Sequence, residues 1–291
     1  MRPLLEILKK TTAFLEGRGL ENPRLEAELL LAAALHCKRL DLYLQFERPL
    51  DEERLTHLRD WVRRRAAREP LQYITGETSF RQITLKCDAR ALIPRPETEE
   101  LIAHILASPP PENAHIADLG TGTGAIALAL AHEKPTYTLT ATDISSDALA
   151  LAHENAHRLS LETRVKFAQG SWLDALAPQE KYDIITSNPP YLTETELATA
   201  QHEVAQHEPH LALFAPENGL SALKTILTQA KTKLRPNGFV ALETGIAHAQ
   251  PLITHAKAVG YEYHKAIKDL QGHQRFFFAW VKSPSPNGNT P

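Results

Sequence analysis

A mixed α/β sheet wound in both directions and preceded by a bundle of helices is the fold this sequence predicts, on three observations. From Pro111 onward, short apolar runs alternate with stretches of helical spacing, the rhythm of a parallel sheet covered by helices on both faces. Residues 1–77 instead hold leucines three and four apart, without alternation, as helices do. The last two apolar runs, Tyr261 to Ile267 and Arg275 to Val281, leave no room for a helix between them. They must pair as an antiparallel hairpin, so the last strand runs against the rest. The expectation is an α/β, doubly wound, seven-stranded sheet with an N-terminal helical domain.

The elements follow in order. Leu4, Leu5, Leu8 and Leu15 form one apolar stripe, Leu25, Leu29, Leu30 and Ala33 a second, and Leu55, Leu58, Trp61 and Val62 a third. Pro23, Pro49 and Pro70 punctuate them near their ends, where proline is tolerated. Arg63, Arg64, Arg65 and Arg68 make one basic cluster, read as a solvated helix face, with docking of an anionic partner as the alternative. Residues 78–95 are expected to form a β-hairpin linker, because Phe80, Ile83, Leu85 and Cys87 alternate with polar residues. A second domain is expected over 96–282, opening on the rigid turn and helix start Ile93-Pro94-Arg95-Pro96-Glu97-Thr98-Glu99, whose acidic residues suit a first helical turn. Its strands are read at His115 to Leu119, Tyr137 to Thr142, Val165 to Ala168, Tyr182 to Thr186 and Phe239 to Leu242, before the terminal pair. Helices are read from Ala125, from Ala148 and from Gly219. Residues 283–291, a Pro/Asn/Gly/Ser run, are expected to be a disordered tail.

The composition excludes several classes. With 43% hydrophobic and 23% charged residues and a net charge of −3, the chain is an ordinary globular one, without the basic excess of a nucleic-acid binder. Residues 1–77 carry 14 Lys and Arg against 13 Asp and Glu, the remainder 18 against 22, so neither part alone is strongly basic. Cys37 and Cys87, 50 residues apart, give neither a disulfide framework nor a metal spacing, and cytoplasmic reduced thiols are expected. No apolar run approaches the ~20 residues of a membrane span. His202, His207 and His210 lack cysteine partners, and no metal is expected.

Two motifs carry chemistry. Asn188-Pro189-Pro190-Tyr191 follows the apolar run Tyr182 to Ser187. Two prolines without N–H groups make it a stiff, extended turn at a strand end. The Asn188 side-chain oxygen and the prolyl carbonyls are a ready acceptor pair for a planar –NH2 group on an amide or a nucleobase, with Tyr191 beside them to stack. Upstream, Gly120, Gly122 and Gly124 allow a tight strand-to-helix turn close to a ligand. That loop is not a Walker loop and is shared by NAD, FAD and S-adenosylmethionine sites, as is Asp143 at the next strand end, suited to ribose hydroxyls. Asp118 suits a cofactor bearing an ammonium and a sulfonium better than a pyrophosphate, with a cap on the following turn as its structural alternative.

Together, Asp118 to Gly124, Asp143 and Asn188 to Tyr191 resemble class I S-adenosylmethionine-dependent methyltransferases acting on nitrogen, which include adenine-N6 and cytosine-N4 DNA methyltransferases and protein glutamine-N5 methyltransferases. Glu69-Pro70-Leu71-Gln72-Tyr73-Ile74-Thr75-Gly76, Leu92 to Glu99, Glu208-Pro209 and Asp269-Leu270-x-Gly272-His273-x-Arg275 are similar to the release factor glutamine methyltransferase family (HemK/PrmC type). The resemblance implies a Rossmann-like methyltransferase domain using S-adenosyl-L-methionine. It places cofactor contacts on Gly120, Thr121, Gly122, Thr123, Gly124, Asp143, Trp172 and Asn188. Substrate contacts fall on Asn188, Pro189, Pro190 and Tyr191, with Asn188, Pro189 and Tyr191 catalytic. The implied substrate is the glutamine, at N5, of the Gly-Gly-Gln loop of class I peptide chain release factors, which the helical bundle helps to hold. A glutamine methyltransferase of a ribosomal protein and an adenine-N6 DNA methyltransferase are the rivals, the latter disfavoured by the charge balance. A cytoplasmic monomer with no direct nucleic-acid or membrane partner is expected. Phe214-Ala215-Pro216-Glu217-Asn218-Gly219 departs from the family's more usual Gly-Gly-x-Asp-Gly-type loop.

Overall fold

Leucines at helical spacing give the N-terminal residues their helices. The computed structural model describes residues 2–108 and 110–282; the expected tail at 283–291 lies outside them. The chain divides into two units, one reaching to Glu77 and taking in Gln201–His207, the other running from Thr78 to Ala200 and resuming at Glu208.

In the first unit, β1 (Arg2–Pro3) leads into α1 (Leu4–Glu16), followed by α2 (Pro23–Ala34), β2 (Pro49–Leu50), α3 (Glu52–Ala66) and α4 (Leu71–Thr75). β1 and β2 pair antiparallel. α1 buries Leu4, Ile7, Leu8, Thr11 and Leu15, a single stripe at i, i+3, i+4, i+7 and i+11. Pro23 opens α2, its missing N–H costing nothing there. The Asp51 carboxylate accepts from the Arg54 N–H at 2.9 Å and caps α3. Leu8, Leu15, Leu30, Leu31 and Leu58 meet in one core.

The arginine cluster at the end of α3 and just beyond it is largely spoken for inside this unit. Arg64 donates to both oxygens of Glu69. Arg65, only 8% exposed, donates to Glu26 at 2.5 and 2.8 Å and to Glu203 at 3.0 Å. Arg68 donates to Glu203 at 3.4 Å and to the Gly19 carbonyl at 2.7 Å. Breaking a buried pair of this kind from one side costs about 3–5 kcal/mol, because the surviving charge is stranded.

The second unit begins within the hairpin of β3 (Glu77–Phe80) and β4 (Ile83–Lys86). Expected as a linker, it contributes Phe80, Ile83 and Leu85 to the core of the sheet. Then come α5 (Pro96–Ala107), β5 (His115–Leu119), α6 (Ala125–Glu133), β6 (Thr138–Asp143), α7 (Ser146–Arg158), β7 (Val165–Gln169) and β8 (Tyr182–Ser187). After α8 (Glu194–Ala198) and α9 (His202–His207), the latter inside the segment belonging to the first unit, come α10 (Ser221–Lys233), β9 (Leu234–Glu243), α11 (Ala249–Val259), β10 (Tyr263–Lys268) and β11 (Gln274–Trp280).

Among the described residues seven strands form the main sheet in the order β10-β11-β9-β8-β5-β6-β7. β5 to β9 run parallel, and β11 runs antiparallel to both β9 and β10. Adjacent residues of each central strand serve opposite faces: Ile116 and Ile184 join one core cluster, Ala117 and Ile185 the other, as a sheet covered on both sides requires. Strand order reverses at β5, with β6 on one side and β8 on the other, and such a switch opens a crevice at the carboxyl ends of the strands. Thr142, Leu119, Ser187 and Leu242 are register partners across four strands. Asp143, Gly120, Asn188 and Glu243 therefore leave the sheet at the same level.

Candidate active site

A cavity of about 400 Å³ lies at that switch point, lined by the glycine loop from Gly120 to Thr123, by Asp143, Ile144, Trp172, Asn188 and Pro190, and by residues from Leu211 to Pro216. Gly124, Pro189 and Tyr191 do not line it; Gly124 instead caps α6, a Cβ there falling 2.8 Å from Leu128.

The glycine-loop side is held through the backbone. Gly120 has φ +66°, and a Cβ on it would meet the Trp172 ring at 3.3 Å, so both backbone and space favour glycine where loop and indole approach. The Gly122 N–H donates to Asp143 Oδ2 at 2.9 Å, and the Ser145 N–H to Oδ1 at 3.0 Å. Each carboxylate oxygen keeps a lone pair for a hydroxyl. Burial pushes the Asp143 carboxyl up, against these backbone bonds. Trp172 has φ +48°, a rare conformation for a bulky residue and a strain found at functional sites. Asn155, fully buried, accepts from the Lys86 N–H at 2.6 Å and donates to the Thr123 carbonyl at 2.9 Å, tying the loop to β4.

Asp118 stands differently from its favoured sequence reading. It is 1% exposed and does not line the cavity; its Oδ2 accepts from the Thr121 hydroxyl at 2.6 Å and the Ala127 N–H at 3.2 Å. It braces the loop and caps the start of α6. Burial pushes this carboxyl up to about 7, and Oδ1 finds no partner among the described residues.

The Asn188 side is held by side chains. Asn188 Nδ2 donates to Thr98 Oγ1 at 3.1 Å, and the Thr98 hydroxyl donates to Glu243 Oε2 at 2.7 Å. The Tyr191 hydroxyl donates to the other oxygen, Oε1, at 3.0 Å. Glu243 is 1% exposed; burial pushes its carboxyl up, opposed by both hydroxyls and by the charge of Arg275. Tyr191 is likewise pushed up by burial. Its carbonyl lies against Gly219, where a Cβ would stand 2.1 Å away. Asn218, at φ +55°, sets up this approach, and its carbonyl meets His248 Nε2 at 2.9 Å. His248 Nδ1 accepts from the Gly245 N–H, so the ring is neutral with its proton on Nε2.

Three of the stretches singled out in the sequence converge here. Leu92 to Glu99 supplies Thr98. Glu208 accepts from the Ile93 N–H at 3.2 Å and from Arg95 at 2.5 Å, fixing that stretch against the cavity wall. Asp269 accepts from the Gln271 and His273 N–H groups at 3.0 and 2.8 Å, closing the turn before Arg275, whose carbonyl accepts from the Thr244 N–H beside Glu243. Sequence reasoning missed Thr98 and Glu243 as site residues. A carboxylate directly after an apolar strand, as Glu243 is after Phe239 to Leu242, was the available signal.

The cavity suits a cofactor with an adenosine and no phosphates. Ile144, 54% exposed, and Trp172 offer apolar surface, and Asp143 offers hydroxyl acceptors. The two arginines bordering the cavity are committed, Arg90 to Asp88 and Glu154 and Arg95 to Glu208. Among the described residues no group of three or more His, Cys, Asp and Glu is placed to hold a metal ion, and no helix is long and apolar enough to cross a membrane.

Residues 6–76 match the family model described as PrmC N-terminal domain, and residues 97–213 that of the methyltransferase small domain. The release factor glutamine methyltransferase of Coxiella burnetii is 41% identical, over 89% of this chain and 92% of its own length. That of Chlorobaculum tepidum is also 41% identical, over 92% and 96%. In fold, a crystallised methyltransferase from Pyrococcus furiosus is similar with a TM-score of 0.50 at 18% identity, over 68% of this chain and 88% of that one. The chain therefore belongs to the release factor glutamine methyltransferase family, as a methyltransferase whose cofactor is S-adenosyl-L-methionine.

Proposed function

We propose that the chain methylates the N5 amide nitrogen of the glutamine in the Gly-Gly-Gln loop of class I peptide chain release factors, in the cytoplasm. The observation that carries the reading is Asn188. Its Nδ2 is engaged by Thr98, which leaves Oδ1 to accept from a substrate N–H at the cavity. An amide nitrogen is a poor nucleophile because its lone pair is delocalised into the carbonyl. S-adenosyl-L-methionine supplies the electrophilic methyl group. The task left to the protein is to hold the amide and localise its lone pair. In this reading Asn188 Oδ1 accepts one of the two amide N–H bonds, the second acceptor expected at the Pro189 carbonyl lies outside the cavity lining, Pro190 keeps the turn rigid, and Tyr191 backs it from the buried side. Gly120 to Thr123, Asp143, Trp172 and Asn188 hold the cofactor, Gly124 sets the start of the helix behind the loop, and the helical bundle helps to hold the release factor.

The test is to incubate the protein with isotopically labelled cofactor and, separately, each class I release factor, a ribosomal protein fraction and DNA, and to locate the label by mass spectrometry. Label on the Gly-Gly-Gln glutamine is expected. Label confined to ribosomal protein or to DNA would overturn the reading.

A further inference from the structure

The chain of bonds behind Asn188 has a direction. A carboxylate only accepts, and both oxygens of Glu243 receive hydroxyl groups, from Thr98 and from Tyr191. A threonine hydroxyl has one proton. Thr98 gives it to Glu243, so towards Asn188 it can offer only a lone pair, and only the NH2 end of the Asn188 amide can use it. With the amide turned over, two acceptor oxygens would face each other in a buried place. We propose that Glu243, acting through Thr98, is a positioning residue that fixes the Asn188 amide with its NH2 inward and its oxygen free to accept from the target nitrogen. The proposal rests on the reading of Asn188 as a substrate acceptor given above and adds what sets its orientation.

A carboxamide in place of Glu243 undoes the direction without changing the shape. Its oxygen can keep the Tyr191 donor while its NH2 donates to Thr98. The Thr98 proton is then free for Asn188 Oδ1, which turns inward. Glu243→Gln and Thr98→Val should each lower the turnover of release factor at saturating substrate by about tenfold or more, as expected for a lost preorganised bond. The cofactor dissociation constant should stay within about threefold of the parent, because among the described residues no hydrogen bond joins the glycine-loop side to Glu243 or Thr98. Thr98→Ser, which restores the hydroxyl and lacks the methyl, should recover most of the turnover that Thr98→Val loses. In an Asn188→Ala background Glu243→Gln should change turnover less than about twofold, since the two act in series.

The arms separate the possible failures. If Asn188→Ala itself retains near-parental turnover, the reading of Asn188 fails. If Asn188→Ala is impaired while Glu243→Gln and Thr98→Val turn over like the parent, the positioning proposal alone fails. Equal losses in Thr98→Val and Thr98→Ser, or an undiminished Glu243→Gln effect in the Asn188→Ala background, would reduce Glu243 to a structural residue and overturn the proposal. Should Glu243→Gln not fold, the Thr98 pair decides on its own.

Discussion

The two sides of the cavity are made of different material. On the glycine-loop side, backbone N–H groups converge on Asp143 and the partners lie close in sequence, Gly122 and Asp143 being 21 residues apart. On the Asn188 side, the Thr98 and Tyr191 side chains converge on Glu243, and Thr98 is 90 residues from Asn188 and 145 from Glu243. A site of backbone groups tolerates many side chains but demands glycine where the chain bends. A site of side chains demands particular residues and leaves the backbone ordinary. One side suits grip on a constant cofactor, the other the orientation of a reacting group.

The contrast breaks most readily at Asn188. Asn188→Ala should lower single-turnover methylation of release factor by ~10²–10³, the usual cost of removing one preorganised acceptor or donor. Thermal unfolding should change little, because Asn188 lies at a strand's carboxyl end and not in the core, and cofactor affinity should fall only modestly, since Asn188 borders the cavity. A folded variant keeping more than about a third of the parental rate, against the expected hundredfold loss, would remove the distinction between the two sides.

Asp143→Ala should show the opposite partition. A hydrogen bond to a charged group contributes about 1.5–3 kcal/mol, so cofactor affinity measured by calorimetry should fall by roughly one to two orders of magnitude. Turnover at saturating cofactor should remain closer to the parent. Unchanged affinity would mean that the ribose is held elsewhere.

Asn155→Ala sharpens the comparison from beneath the loop. It strands the Lys86 N–H and the Thr123 carbonyl, each costing about 1–3 kcal/mol if left unpaired. Chemical denaturation should register the loss as stability, with the smaller effect on turnover.

The smallest effect belongs to the surface cluster of Glu154, Arg90 and Lys86. Arg90 and then Lys86 hold the Glu154 carboxyl at about 2, below the ordinary 4.5. These pairs therefore add stability above about 4.5 and lose it as the pH falls towards 2. Glu154 is 42% exposed, so solvent weakens the effect. Glu154→Gln should flatten the stability profile slightly across that window, and an unchanged profile would show the pairs to be idle.

Much of this was legible in the sequence, for a physical reason. Strands buried on both faces announce themselves by composition, and the seven expected strands lie within a few residues of the observed ones, apart from the early start of β9 at Leu234. There Arg235-Pro236-Asn237-Gly238 breaks the apolar run although Leu234 is still paired with Tyr182. α11 was not anticipated, because Pro251 and a mixed Thr-His-Ala-Lys stretch blur its periodicity. The glycine loop and Asp143 could be read because their chemistry is local. Thr98 could be read only as part of a helix start, since what makes it a site residue is the register that sets Ser187 beside Leu242. Asp118 carries two readings in the sequence, since a carboxylate before a glycine loop suits a cationic ligand and equally a hydroxyl and an N–H of the loop and the helix after it, and the structure shows the second.

The segment Gln201–His207 bears on how the protein is made. The helical unit reaches the end of its main stretch at Glu77, yet Glu203, the second carboxylate of Arg65, is encoded far downstream. On a translating ribosome that interval lasts on the order of ten seconds at ordinary elongation rates. Through it the nascent helical unit has, among the described residues, Glu26 as the carboxylate its own stretch supplies to Arg65, and Glu203 arrives only after β8 and the Asn188 turn have been synthesised.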